Sequence, residues 1–129
     1  MLAELLSRYK LIFWDFDGVI KNSVKVKTDA FISLFRSFGA EIVERVRAHH
    51  EMNGGMYRYE KIPIYLGWAG LSPDSQLVDD YCKRFSLLVV QKVVDASWVT
   101  GVENYPCYNP YQQKFVLVSA TPQDEIEKY

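Results

Sequence analysis

Two short, unbroken apolar runs stand near the ends of the chain. Leu11 to Trp14 reads LIFW and stops at Asp15, and Phe115 to Val118 reads FVLV and stops at Ser119. A run of this kind, bounded by a turn signal such as Asp17-Gly18, predicts a strand buried on both faces, as in a parallel sheet. Between the runs the apolar period changes. Phe31, Leu34, Phe35 and Phe38 recur at helical spacing with Gly39 as a stop, and Ile42, Val43 and Val46 continue the theme. Leu77, Val78, Tyr81, Phe85, Leu88 and Val89 form the clearest stripe. It predicts a helix that begins at Ser72-Pro73, with Ser as cap and Pro at the first position, and runs out near Asp95. Asn53-Gly54-Gly55, and later Gly67 with Gly70, mark loops. Beyond Ser119, Thr121 as cap, Pro122 at the first position and the acidic Asp124 and Glu125 predict one more helix. The predicted order is strand, helical block, strand, helix, with no internal repeat. Two strands are too few for an independently stable parallel sheet, so the sequence reads like one cut short.

Composition narrows the classes. A chain of 129 residues, 49% hydrophobic and 24% charged, fits one soluble globular domain. A formal net charge of -1 with scattered Lys and Arg argues against nucleic acid and anionic membranes as partners. No stretch approaches the roughly 18 apolar residues of a membrane helix. The opening MLAELLSRYK carries Glu4 and Arg8 and lacks the apolar core of a signal peptide. Cys82 and Cys107 show no CxxC spacing and are expected to be free thiols in a reducing cytoplasm. His49 and His50 are adjacent, so they point to different faces of a helix and are expected to be exposed rather than a metal pair. Trp14, Trp68 and Trp98 read as packing groups, without a pattern for base stacking.

The residues with chemical potential begin at Phe13-Trp14-Asp15-Phe16-Asp17-Gly18-Val19-Ile20. Two carboxylates, two residues apart at the carboxyl end of a buried strand, lie where open α/β sheets bind ligands. Carboxylates this close repel unless a cation joins them or one is protonated. A hard divalent cation such as Mg²⁺ takes oxygen ligands and bridges to phosphate. An Asp so placed can attack phosphorus to give an aspartyl-phosphate, while the second protonates the leaving oxygen and later activates water. A solvated turn is the plainer alternative, disfavoured because LIFW buries the approach. An EF-hand loop is excluded, since it would need an acid or amide at Val19 and Gly at Ile20.

The segment KLIFWDFDGVIKNS resembles motif one of the haloacid dehalogenase-like superfamily, in the phosphatase branch that carries DxD. The resemblance implies Asp15 as nucleophile and Asp17 as general acid/base, with Mg²⁺ bound by Asp15 and by the backbone carbonyl of Asp17. FVLVSATP, residues 115–122, is similar to motif two, which assigns phosphate binding to Ser119 and Ala120, with Gly18 joining from motif one. The implied fold is α/β: a Rossmann-like parallel-sheet core, residues 1–22 and 99–129 with only its first strands present, and an inserted helical cap over residues 23–98. Within the cap, NGGMYRYEK (residues 53–61) looks like a segment of some family caps. Arg58 and Lys61 there could meet an anionic substrate or serve as solvated helix charges, and Pro63 interrupts a smooth helix unless that helix starts late. The family places a phosphate-steadying Lys and further acidic ligands downstream of motif two. Lys128, inside the last predicted helix, is a poor candidate for that Lys, so this chain alone is expected to show little turnover.

The expectation is therefore a magnesium-dependent phosphatase of small phosphorylated metabolites. Its rivals are a catalytically inactive fragment or binding module of the same fold, and a phosphomutase. A dehalogenase is disfavoured because that reaction does not need Asp17. Pairing with a second copy at the exposed sheet edge is a further expectation.

Overall fold

In the computed structural model, which describes residues 2–102, 104–105 and 109–129, the two apolar runs are strands that pair with each other. β1 (Leu11–Asp15) and β2 (Lys114–Val118) run parallel, with Leu11 opposite Lys114, Phe13 opposite Val116 and Asp15 opposite Val118. The described helices are α1 (Leu2–Leu6), α2 (Val24–Phe35), α3 (Ala40–Met52), α4 (Arg58–Trp68), α5 (Ser75–Asp95) and α6 (Gln123–Ile126), with a 3₁₀ turn at Arg36–Phe38. The chain is thus mixed α/β, with one two-stranded parallel sheet among the described residues. None of the described helices is long and apolar enough to cross a membrane. Cys107 lies outside the described residues.

The chain divides into two compact units, Met1–Val24 with Ala96–Ser119, and Lys25–Asp95 with Ala120–Tyr129. In the first, one face of the sheet packs on a small aromatic layer. Trp14, Val102 and Tyr105 are buried, with Leu6, Ile12, Ile20, Val99 and Phe115 against them. Trp14 meets Phe115 edge-on at 5.8 Å and Tyr105 at 6.0 Å. The buried Gln113 amide donates to the carbonyls of Leu6 and Tyr9 and accepts from the Tyr105 hydroxyl, which ties α1 to the start of β2.

The other face is open: Leu11, Phe13, Val116 and Val118 are exposed, Phe13 by 65%. Burial on both faces, predicted from the continuous apolar runs, is therefore corrected. Side chains alternate across a strand, and a two-stranded sheet needs a separate layer on each side to cover both.

The chain leaves this unit and returns to it through a clasp. Val99 N–H donates to Ile20 C=O at 2.9 Å, and Asn22 N–H donates to Ser97 C=O at 2.9 Å. The ammonium of Lys21 donates to Ala96 C=O at 3.0 Å and lies 4.5 Å from the centre of the Trp98 ring.

The second unit is built on helical stripes. Ala30, Phe31, Leu34 and Phe35 of α2, Val46 of α3, Ile62, Tyr65 and Leu66 of α4, and Val78, Tyr81, Phe85, Val89 and Val93 of α5 are all buried. Phe31 is 4.3 Å from Phe85 and 5.7 Å from Tyr65, and Phe35 is 5.6 Å from Tyr65 and 5.5 Å from Tyr81, ring centre to ring centre. Gly39, at φ +100°, separates the 3₁₀ turn from α3. The buried Cys82 is a free thiol, which burial pushes up to a pKa of about 11.

Three predicted helix details are corrected. α5 starts at Ser75 rather than at Ser72-Pro73, because the Asp74 carboxylate accepts the Leu77 N–H at 2.8 Å and so caps the helix. Pro122 precedes α6 in an extended conformation, and no side chain caps that helix. α4 begins at Arg58 and keeps Pro63 inside it, although the proline nitrogen cannot donate to the carbonyl one turn back and its ring crowds that carbonyl. His49 and His50 are not exposed: His50 is buried with Nδ1 2.9 Å from Lys61 Nζ, and His49 Nδ1 is 2.8 Å from the Tyr65 hydroxyl.

Candidate active site

Parallel pairing puts the carboxyl ends of β1 and β2 side by side. Asp15 is the last residue of β1 and pairs with Val118, the last of β2, so Ser119 emerges beside Asp15. Neighbouring strands lie about 4.8 Å apart, so residues 103 positions apart in sequence (118 − 15) are brought to one sheet edge. Asp15 is exposed, and its Oδ1 accepts the N–H of Phe16 at 2.7 Å.

The chain then turns tightly. The N–H groups of Val19 and Ile20 donate to Phe16 C=O, and Gly18 N–H donates to Lys21 C=O at 2.8 Å. Gly18 sits at φ +77°, and a Cβ there would lie 2.9 Å from Cγ2 of Val24, so both backbone conformation and space call for glycine. Half-buried Asp17 is held by the Ser23 hydroxyl, which donates to Oδ1 at 2.6 Å. Ser23 is a site residue that the sequence reading did not single out, since a Ser six positions after an Asp carries no signal by itself.

Asp15, Asp17, Gly18 and Ser119 belong to the same unit. Ala120 follows Ser119 but opens the segment grouped with the helical unit, and so do the remaining residues that were expected with the core. The reason is a buried ion pair. Arg58 Nη1 and Nη2 donate to Glu125 Oε1 and Oε2, each at 2.7 Å, a two-pronged contact in which the side chains are 6% and 4% exposed. The Ser86 hydroxyl also donates to Glu125, and Arg58 Nη1 donates to Ser86 Oγ at 2.8 Å. Burial would raise the Glu125 carboxyl, but hydrogen bonds from Arg58 and Ser86 and the charges of Arg58 and Lys27 outweigh it, and the net shift is downward.

Arg58 and Lys61 therefore stand inside the helical unit rather than on its wetted surface. They share an α4 face with Ile62, Tyr65 and Leu66, at a spacing visible in the sequence. Glu125, their unit's buried acid, carried no such signal. Thr121, the expected cap, instead accepts a hydrogen bond from Lys27 Nζ at 2.7 Å.

The oxygens of Asp15 and Asp17 are hard donors that suit Mg²⁺, which is held by one or two carboxylates and keeps several waters. Among the described residues, no group of three or more His, Cys, Asp or Glu side chains gathers into a denser metal site. No protein-family model matches the chain, and no curated protein matches it.

Proposed function

We propose that this chain carries a phosphohydrolase site of the haloacid dehalogenase-like type, with a Rossmann-like core and a helical cap, acting on small phosphorylated metabolites. The observation that supports the reading best is the register of β1 with β2, which sets Asp15 and Ser119 at one sheet edge. In the proposed cycle the Asp15 carboxylate attacks phosphorus, the ester P–O bond breaks, and the leaving oxygen takes a proton from Asp17. Water, losing its proton to Asp17, then attacks the phosphorus of the aspartyl-phosphate. The acyl-phosphate bond breaks, inorganic phosphate leaves and the Asp15 carboxylate is restored. Mg²⁺ held by Asp15 and Asp17 would offset the negative charge that gathers at this edge. The Ser119 hydroxyl donates to a phosphoryl oxygen, and the Ser23 hydroxyl fixes the direction of Asp17.

The test is to incubate the chain with an aryl phosphate, with and without Mg²⁺, and follow both aryl alcohol release and the intact mass. Phosphoryl transfer that needs Mg²⁺ and disappears in Asp15→Asn supports the mechanism. A single equivalent of alcohol with a phosphoryl group retained on Asp15 supports the first half of the cycle. Equal release by the variant, or neither release nor mass change, rejects it in favour of a binding module of the same fold.

A further inference from the structure

We propose that Arg58 and Ser86 form an oxyanion site on the helical unit, and that Glu125 fills it as a displaceable ligand supplied by the chain itself. Every residue of this site belongs to the helical unit, so it stands independently of the phosphohydrolase reading. Arg58 opens α4 and Ser86 lies on α5, two helices that pack together. The guanidinium carbon is 4.6 Å from the centre of the Phe85 ring, and Nη1 donates to Ser86 Oγ at 2.8 Å. Both contacts come from α5, so the direction of the guanidinium fork does not depend on the carboxylate. The Ser86 hydroxyl also has a second acceptor, Cys82 C=O at 3.1 Å, and stays paired when the carboxylate leaves. A planar fork with a hydroxyl beside it matches the oxygens of a carboxylate or a phosphate.

The occupant is anchored through its charge. Among residues 120–129, all of them described, Glu125 alone is buried, while Ala120, Pro122, Ile126 and Tyr129 are only partly so. α6 is four residues long and has no side-chain cap, too short to be stable by itself. Beyond the Lys27 bond to Thr121, the deepest anchor of the segment is therefore a carboxylate rather than an apolar side chain. The 3.4 Å contact of the Tyr129 hydroxyl with Glu125 Oε2 lies within the segment and leaves with it. An oxyanion of the same geometry can replace a charged anchor, which it could not do for an apolar one. A carboxylate tethered by a short stretch of chain acts at an effective concentration on the order of millimolar, so a free oxyanion competes in that range. With Glu125 in place the two side chains are closed to solvent, so entry of a free oxyanion and release of the segment are one event.

The experiment adds inorganic phosphate, acetate or, at matched ionic strength, sodium chloride to the whole chain, to Glu125→Gln and to Glu125→Gln combined with Arg58→Met. In the parent, phosphate or acetate in the millimolar range should speed amide hydrogen exchange over residues 123–129 by about tenfold or more, with α4 and α5 still protected. Chloride should not, because it screens charge without filling the fork. Glu125→Gln, rid of the competing carboxylate, should bind the effective anion about tenfold or more tightly than the parent, and adding Arg58→Met should abolish that binding. A stronger effect of phosphate than of acetate identifies a phosphate ligand and the reverse a carboxylate; either upholds the site. Equal exchange in chloride overturns it, and so does a folded Glu125→Gln that binds neither anion. Binding by Glu125→Gln without release of the parent's segment marks a cavity made by the substitution, and also overturns the proposal. If Glu125→Gln does not fold, exchange in the parent decides: release specific to phosphate or acetate upholds the site, and unchanged exchange overturns it.

Discussion

The two units solve the burial problem in opposite ways. The helical unit closes its core: Phe35, Val46, Ile62, Tyr65, Leu66, Val89 and Val93 are all fully buried. It even encloses cations, giving Arg58 a carboxylate and Lys61 a histidine ring nitrogen. The sheet unit covers one face only in part, leaving Leu117 exposed there, and leaves Leu11, Phe13, Val116 and Val118 of the other face in the open. Yet the carboxylates with chemical potential, Asp15 and Asp17, stand on the less covered unit. Stability and candidate chemistry are thus lodged in different parts of the chain. Substitutions should separate them cleanly, because an open strand end can hold exposed carboxylates that a closed aromatic core cannot.

The largest effect is expected where packing is tightest. Phe35→Ala should cost about 3–5 kcal/mol, since it empties a site walled by Tyr65, Tyr81 and Phe38. A denaturant titration checks this, and a loss below about 1 kcal/mol would mean that the helical core is looser than its burial indicates. Next is Glu125→Ala, expected to cost about 3 kcal/mol because the buried Arg58 charge loses its partner. The same pair gives a pH signature. Glu125 binds its proton less tightly folded than unfolded, so the pair's contribution is complete above the ordinary carboxyl range, about pH 4.3. It is lost as pH falls through the lower folded value. The gap between the melts of the parent and Glu125→Ala should therefore narrow on acidification below that range, and a constant gap would deny the linkage.

In the sheet unit the effects shrink. Gly18→Ala should cost about 1–2 kcal/mol through its positive φ and the clash with Val24. Comparison with Gly39→Ala, where φ is positive but no atom lies within 4 Å, would separate backbone strain from crowding. Smallest of all, Phe13→Ser should change stability by no more than about 0.5 kcal/mol, because the ring is already in solvent. A loss comparable to that of Phe35→Ala would erase the contrast between the units.

Strand positions and helical stripes were legible because each depends on local period. LIFW and FVLV became strands to within a residue at either end, and 78, 81, 85 and 89 lie on the buried side of α5. Asp74 is the less visible cap because Ser72-Pro73 carries the stronger local pattern; the choice between them depends on which side chain reaches an N–H two or three residues on. The open face of the sheet was not legible, since a continuous apolar run looks the same whether one face or both are covered. Asp15 and Ser119 could be picked out because each closes an apolar run, and Asp17 because it stands two residues after Asp15 beside Gly18. Lys27 could not be told from Lys25 until α2 set one against Thr121 and the other toward solvent. The Arg58 and Glu125 pair spans 67 positions, beyond any sequence period, although the spacing of 58, 61, 62, 65 and 66 already places Arg58 on an inward face.

The pairing of Leu11 with Lys114 also has a consequence in time. Ribosomal synthesis releases β1 early, but its only described strand partner emerges after the helical block has been made. Closing so long a loop is slow unless the intervening segment has already contracted. Helices form in microseconds from local contacts, so the insertion can shorten the effective distance before the strands meet. β1 then waits with LIFW exposed, and the edge that carries Asp15 and Ser119 is assembled only once β2 has emerged. Nascent chains stalled before Lys114 should engage chaperones through this segment, and release should coincide with the arrival of β2.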